Sequence, residues 1–245
     1  MKKSLENRNH FLDTVRGICI ICVVVFHAIF DLAYTHTTDL TVAIFNFFEP
    51  SVIYFIAVFI FISGISCNYS RSNIKRGSLL FFVAMAITFI TSFDSEICIK
   101  FGILHLLSIC IMAYGLAEKF FKRINSWAGL AISAFLFVIS LPISINRIGI
   151  YGLYLFKLPK VITDNAFLFP FGITLPEFSS GDYIPLLPWF FVFTAGVFLG
   201  QKHENFPKFM YKNPLRPFAF LGRYSLWIYL AHQPVIYAVS MLFGV

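Results

Sequence analysis

Apolar residues run along this chain in long blocks, broken by short polar and basic segments. Seven blocks are long enough to cross the roughly 30 Å hydrocarbon core of a bilayer. They predict membrane helices near 14–34, 50–68, 78–93, 101–117, 127–145, 185–200 and 221–243, the third and fourth being short or interrupted. Between the fifth and sixth lies 146–184, rich in Gly, Pro and aromatic residues. That stretch reads equally as an ordered loop, a re-entrant segment or a further helix. The expected fold is all-α: a polytopic membrane helix bundle of about seven transmembrane helices, forming one domain over 1–245. No internal repeat or low-complexity tract interrupts it.

Composition agrees with the pattern. The 245 residues are 58% hydrophobic and only 13% charged, with 32 Phe, and the mean hydropathy is +0.79. A soluble domain does not have this make-up. The net charge of +7 would suggest nucleic acid in a soluble chain, but here its placement decides. With the N-terminus inside, 15 of the 19 Lys and Arg fall on cytoplasmic segments. These include Lys2, Lys3 and Arg8, then Arg71, Lys75 and Arg76, then Lys119, Lys122 and Arg123. Acids such as Asp39, Glu49, Asp94 and Glu96 fall outside. The basic balance therefore follows the positive-inside rule and implies no nucleic-acid partner. The polar first eleven residues, followed by a long apolar run without an A-x-A site, argue against a cleaved leader. Cys19 and Cys22 form a C-x-x-C among Ile and Val, which suits small apolar fillers; no metal site is expected.

The first predicted helix carries the clearest candidate chemistry. At about 100° per residue, Asp13 and Asp31, 18 positions apart, project in one direction. Arg16 and His27, 11 apart, are offset by only about 20°. The four make a polar stripe about a membrane thickness long, which must face the bundle interior or a watery cavity. His27 and Asp31 are four residues apart, so their side chains can meet. Such a pair fits a general base and its orienting carboxylate, or a structural tie between helices.

Other polar residues sit in apolar surroundings. His105 lies in "FGILHLLSI" and His232 in "YSLWIYLAHQPV", where Pro234 removes a backbone hydrogen bond. His36 lies in the loop "YTHTTDL", and Asp182 enters the sixth block in "GDYIPLLPWF". Each is a candidate catalytic or substrate-binding residue and equally a satisfied structural one. Gly64 in "FISGIS" suits close helix approach. The basic loop "SRSNIKRG" is either a topology signal or a contact for cytoplasmic phosphates.

Taken in order, "LDTVRG…FHAIFDL", "FISGIS", "FGILHLLSI", "GDYIPLLPWFFVFTAGVFLG" and "LGRYSLWIYLAHQPV" resemble the bacterial relatives of the heparan-alpha-glucosaminide N-acetyltransferase catalytic domain. The resemblance covers about residues 8–240. Its opening R-G…H pattern is also similar to the wider group of membrane acyltransferases that modify extracytoplasmic sugars. The resemblance implies transfer of an acetyl group from cytoplasmic acetyl-CoA to a sugar amine or hydroxyl across the membrane. It implies a central histidine, matched by His27 in the first-span motif, with the loop residue His36 as the alternative counterpart. On that reading Asp31 orients His27. The donor's phosphates suit Arg16, Arg71, Lys75 and Arg76. Lipid, acetyl-CoA and an extracytoplasmic glycan are the expected partners, with a homodimer as a further candidate, in the cytoplasmic (inner) membrane. Two rival readings stay open: a proton-coupled transporter, since His/Asp chains also relay protons, and a non-catalytic partner in an envelope-synthesis complex.

Overall fold

The computed structural model describes residues 9–94, 97–212 and 215–243. Lys2, Lys3, Arg8 and Glu96, which enter the topology argument above, lie outside the described residues. The chain is mostly helical and divides into two compact units, Met1–Ile62 with Asn205–Val245, and Ser63–Glu204. Among the described residues, five helices are long and apolar enough to cross a membrane, which makes this a multi-pass membrane protein.

The first unit begins with α1 (His10–Thr35), whose start is fixed by Asn9: the Leu12 N–H donates to its side-chain oxygen at 3.1 Å. The helix α2 runs Asp39–Cys67. Its start corrects the expected boundary at 50. Thr38 and Thr41 cap it reciprocally, each hydroxyl accepting the other's N–H at 3.0 and 3.2 Å. Pro50 then lies inside the helix, where it removes only one backbone bond.

From the second unit come α3 (Asn73–Thr91), α4 (Ile103–Phe121) and α5 (Ser126–Ser140), the last continued by a 3-10 turn to Ile145. The stretch 146–184 adds a small β element to an otherwise helical fold. It holds an antiparallel hairpin, β1 (Arg147–Ile150) and β2 (Leu153–Lys157), then a short helix α6 (Lys160–Thr163) and a 3-10 turn at Ala166–Phe171. Gly152 closes the hairpin at φ +87°, a conformation side chains disfavour. The apolar helix α7 (Leu186–Gly200) has 15 residues, about 22 Å of rise against a core of roughly 30 Å. Gly64, at the second unit's end of α2, meets α7 backbone to backbone. A Cβ there would fall 2.1 Å from the Phe193 carbonyl oxygen, as the small-residue pattern predicts.

The first unit closes with α8 (Arg216–Arg223) and α9 (Ser225–Phe243), so the expected seventh span is broken at Tyr224. The contact of α8 with α1 explains two sequence motifs together. A Cβ on Gly17 of "VRG" would sit 2.0 Å from the Phe218 carbonyl oxygen. One on Gly222 of "LGR" would sit 1.8 Å from the Asp13 carbonyl oxygen. Neither position admits a side chain without moving a helix.

Candidate functional site

The polar stripe of α1 faces the helices at the end of the chain. Near the start of α1, the buried Asp13 receives Arg16 Nη1 at 3.0 Å and, from α8, Arg223 Nε at 3.8 Å. Arg223 Nη2 also donates to His10 Nδ1 at 3.3 Å. The interlocked Gly17 and Gly222 bring these groups together. Removing one partner of a buried carboxylate is costly, so Arg223 helps hold the α1–α8 crossing, while Arg16 pairs with Asp13 within α1.

Eleven residues further along α1, about 16 Å at 1.5 Å per residue, lies His27. Its ring centroid is 4.8 Å from that of His232 on α9, the planes inclined at 58°. His232 is buried, and its Nδ1 lies 2.5 Å from the Tyr229 carbonyl oxygen. A carbonyl only accepts, so Nδ1 carries the proton and the neutral ring's lone pair is on Nε2. One turn beyond His27, Asp31 takes its hydrogen bond from the side chain of Gln233 and interacts with His27 through charge. Two imidazole rings, a carboxylate and an amide thus gather where α1 meets α9, inside otherwise apolar helices. Such intramembrane ionisable residues are functional by default.

The remaining candidates lie elsewhere. His36 is exposed in the connection after α1; its N–H bonds the Leu32 carbonyl at 2.9 Å and its own carbonyl accepts from Thr41 Oγ1 at 2.6 Å. It is nine residues from His27, a rise of about 13 Å if measured along the helix. In the second unit, Arg71 and Lys75 are exposed, while Arg76 Nη2 donates to Cys67 Sγ at 3.1 Å.

His105 is buried at the first turn of α4 and both its nitrogens are committed. Nδ1 accepts from the Gly102 N–H at 3.2 Å, and Nε2 lies 3.0 Å from Thr88 Oγ1. The Thr88 hydroxyl donates to the Ile99 carbonyl at 2.7 Å, so Nε2 must be the donor to Thr88. This histidine caps a helix. Asp182 sits beside it: at φ 49°, with its carboxylate 3.8 Å from where a Cβ on Gly102 would be, it faces the start of α4. A negative charge is favourable at that helix end. Neighbouring Tyr183 donates its hydroxyl to the Phe169 carbonyl, and burial pushes its phenol up to about 12.

Sequence reasoning brought out His27 and Asp31 as a pair and His232 separately. It missed Gln233 and Arg223, although the first adjoins His232 and the second follows the "LG" that packs on α1. It also missed Thr88, whose signal is only an isolated hydroxyl in an apolar helix.

Fold and site together define a multi-pass membrane protein with an ionisable cluster inside its helices. Over residues 8–234 the chain matches the family described as heparan-alpha-glucosaminide N-acetyltransferase, catalytic. It belongs to that family, whose name denotes N-acetyltransferase activity. No curated protein and no solved structure matches it.

Proposed function

We propose that the protein transfers an acetyl group from cytoplasmic acetyl-CoA to the amine or hydroxyl of an extracytoplasmic sugar, with His27 as the general base. The observation that carries this reading is the meeting of His27 and His232, rings 4.8 Å apart between two membrane helices. With Nδ1 of His232 tied to the Tyr229 carbonyl, its Nε2 can accept the N–H of His27. The second nitrogen of His27 then carries a lone pair for the acceptor's proton. As the acceptor attacks the thioester carbon, the new C–O or C–N bond forms and the C–S bond breaks. The proton on His27 passes to the leaving thiolate to give CoA. Asp31 stabilises the transient imidazolium through its charge, a role of the kind played by orienting carboxylates elsewhere.

Spacing supports the donor's placement. The pantetheine arm of acetyl-CoA, about thirteen bonds from diphosphate to sulfur, extends roughly 15 Å at the usual bond repeat. Arg16 and His27 are about 16 Å apart along α1, so phosphates at Arg16 and Arg223 would set the thioester near His27. The exposed Arg71 and Lys75 are a second basic group suited to phosphate, and Arg76 adds to the same loop. The split of Lys and Arg between alternate segments favours seven crossings with the N-terminus inside, in the cytoplasmic membrane. His36, in the same unit as His27, is assigned to acceptor binding in this reading, and His105 to helix capping alone.

The stripe of Asp13, Arg16, His27 and Asp31 along one helix is the feature that also suits a proton relay in a transporter. The experiment that separates the two is incubation of the purified, reconstituted protein with radiolabelled acetyl-CoA and a cell-envelope glycan extract. Acetyltransfer gives a labelled glycan and free CoA in equal amounts. A transporter or a non-catalytic assembly partner gives neither.

A further inference from the structure

The stretch after α5 carries apolar side chains that nothing in its own unit covers. Leu153 is 69% exposed, Leu155 63%, Val161 87% and Phe167 86%; Ile150 and Tyr151 at the hairpin tip are exposed too. A two-stranded ribbon is marginal in water by itself, and this one shows apolar groups on both faces. Its position is set by the chain. The apolar helix of 20 residues at Ser126–Ile145 is long enough to cross the bilayer, and β1 begins two residues later. At no more than about 3.6 Å per residue, the hairpin cannot leave the end of that span.

Charge identifies the occupant. Between 141 and 176 the bases are Arg147, Lys157 and Lys160, and the one acid is Asp164. Arg147 and Lys157 are paired across the ladder, and the Arg147 guanidinium lies 4.5 Å from the Tyr154 ring centroid. All three bases are exposed. Apolar and aromatic side chains interleaved with bases, held at the end of a membrane helix, are the pattern of a segment lying in the interface.

We infer that the β1–β2 hairpin and the α6 turn form a lipid-binding surface, with the apolar side chains inserted at the acyl boundary and Arg147, Lys157 and Lys160 on anionic phospholipid headgroups. This inference is independent of the catalytic proposal.

The test places a benzophenone amino acid at Leu153 and, in a separate variant, at Val161, two exposed positions, so that misfolding of one leaves the other. The full chain is reconstituted in vesicles of mixed phosphatidylcholine and phosphatidylglycerol, irradiated, and weighed by mass spectrometry. The expected product is the chain plus one phospholipid, with phosphatidylglycerol captured several-fold above its share of the vesicle. Attraction to an anionic surface corresponds to about five-fold per base, so changing Arg147, Lys157 and Lys160 together to Gln should remove that preference. The inference is overturned if the adduct is a second copy of the 28.0 kDa chain, or if the label finds no lipid while the same label at the exposed Phe82 of α3 does. It is likewise overturned by lipid capture with no anionic preference.

Discussion

Replacing Gly222 with alanine tests the α1–α8 contact on which the site geometry depends. The new Cβ would lie 1.8 Å from the Asp13 carbonyl oxygen, so restoring an ordinary 3.4 Å contact requires α8 to retreat by about 1.6 Å. Overpacking of this kind costs about 1–3 kcal/mol, and the better helix propensity of alanine returns up to about 1 kcal/mol. A net loss of about 1–2 kcal/mol lowers the melting temperature by roughly 2–8 °C in a chain of this size. The same movement lengthens the 3.8 Å Arg223–Asp13 contact and, because α8 leads into α9 through Tyr224, shifts His232 against His27. A misplacement of about 1 Å can reduce turnover on the order of 10²-fold. Thermal unfolding in detergent and acetyl transfer by the folded fraction read both effects. Gly17→Ala meets the Phe218 carbonyl in the same crossing, and one retreat relieves both, so the double variant should lose less than the two singles combined. Gly181→Ala, whose nearest neighbours would be 3.5 Å away, is the control. A Gly222→Ala protein as stable and active as the parent would refute the close crossing.

Three further outcomes are expected. His105→Ala removes the cap and the Thr88 bond, and should destabilise the fold by about 1–3 kcal/mol while transfer per folded molecule is retained; inactive but fully stable protein would return His105 to the catalytic candidates. Tyr183 has its folded phenol raised from 10.0 to about 12 by burial. Its contribution is therefore complete below pH 10 and lost as pH rises through 12, and in a pH series of unfolding curves Tyr183→Phe should flatten that alkaline loss. Changing the exposed Arg71 and Lys75 together to Gln should weaken acetyl-CoA binding at least tenfold, since each charge-assisted contact is worth roughly 1.5–3 kcal/mol; calorimetric affinity equal to that of the parent would assign both charges to topology.

The sequence made some of this legible for physical reasons. A helix repeats every 3.6 residues, so the stripe from Asp13 to Asp31 could be read directly, as could its need for a polar neighbour. Which neighbour it met could not: His232 and Gln233 are about two hundred residues away in the chain, and no local pattern pairs distant helices. The start of α2 was missed because Pro50 resembles a boundary, whereas the reciprocal Thr38–Thr41 cap that sets the true start is two hydroxyls in a polar loop. The hairpin was hidden in a Gly- and aromatic-rich stretch. Its signal was the alternation on either side of Tyr151–Gly152, weakened by the irregularity between Ile148 and Gly149. The capping role of His105 depends on Thr88 and Gly102, contacts that its apolar sequence context gave no hint of.

The central claim is that His27, and not the loop histidine, removes the acceptor's proton. Its most direct test is acetyl transfer to the glycan acceptor by monodisperse parent, His27→Ala and His36→Ala proteins, each shown by calorimetry to bind acetyl-CoA. The account predicts that His27→Ala binds the donor, about 16 Å of helix away from its charged end, and transfers nothing, while His36→Ala still turns over. An active His27→Ala protein beside an inactive His36→Ala protein would contradict it and move the chemistry to the loop after α1.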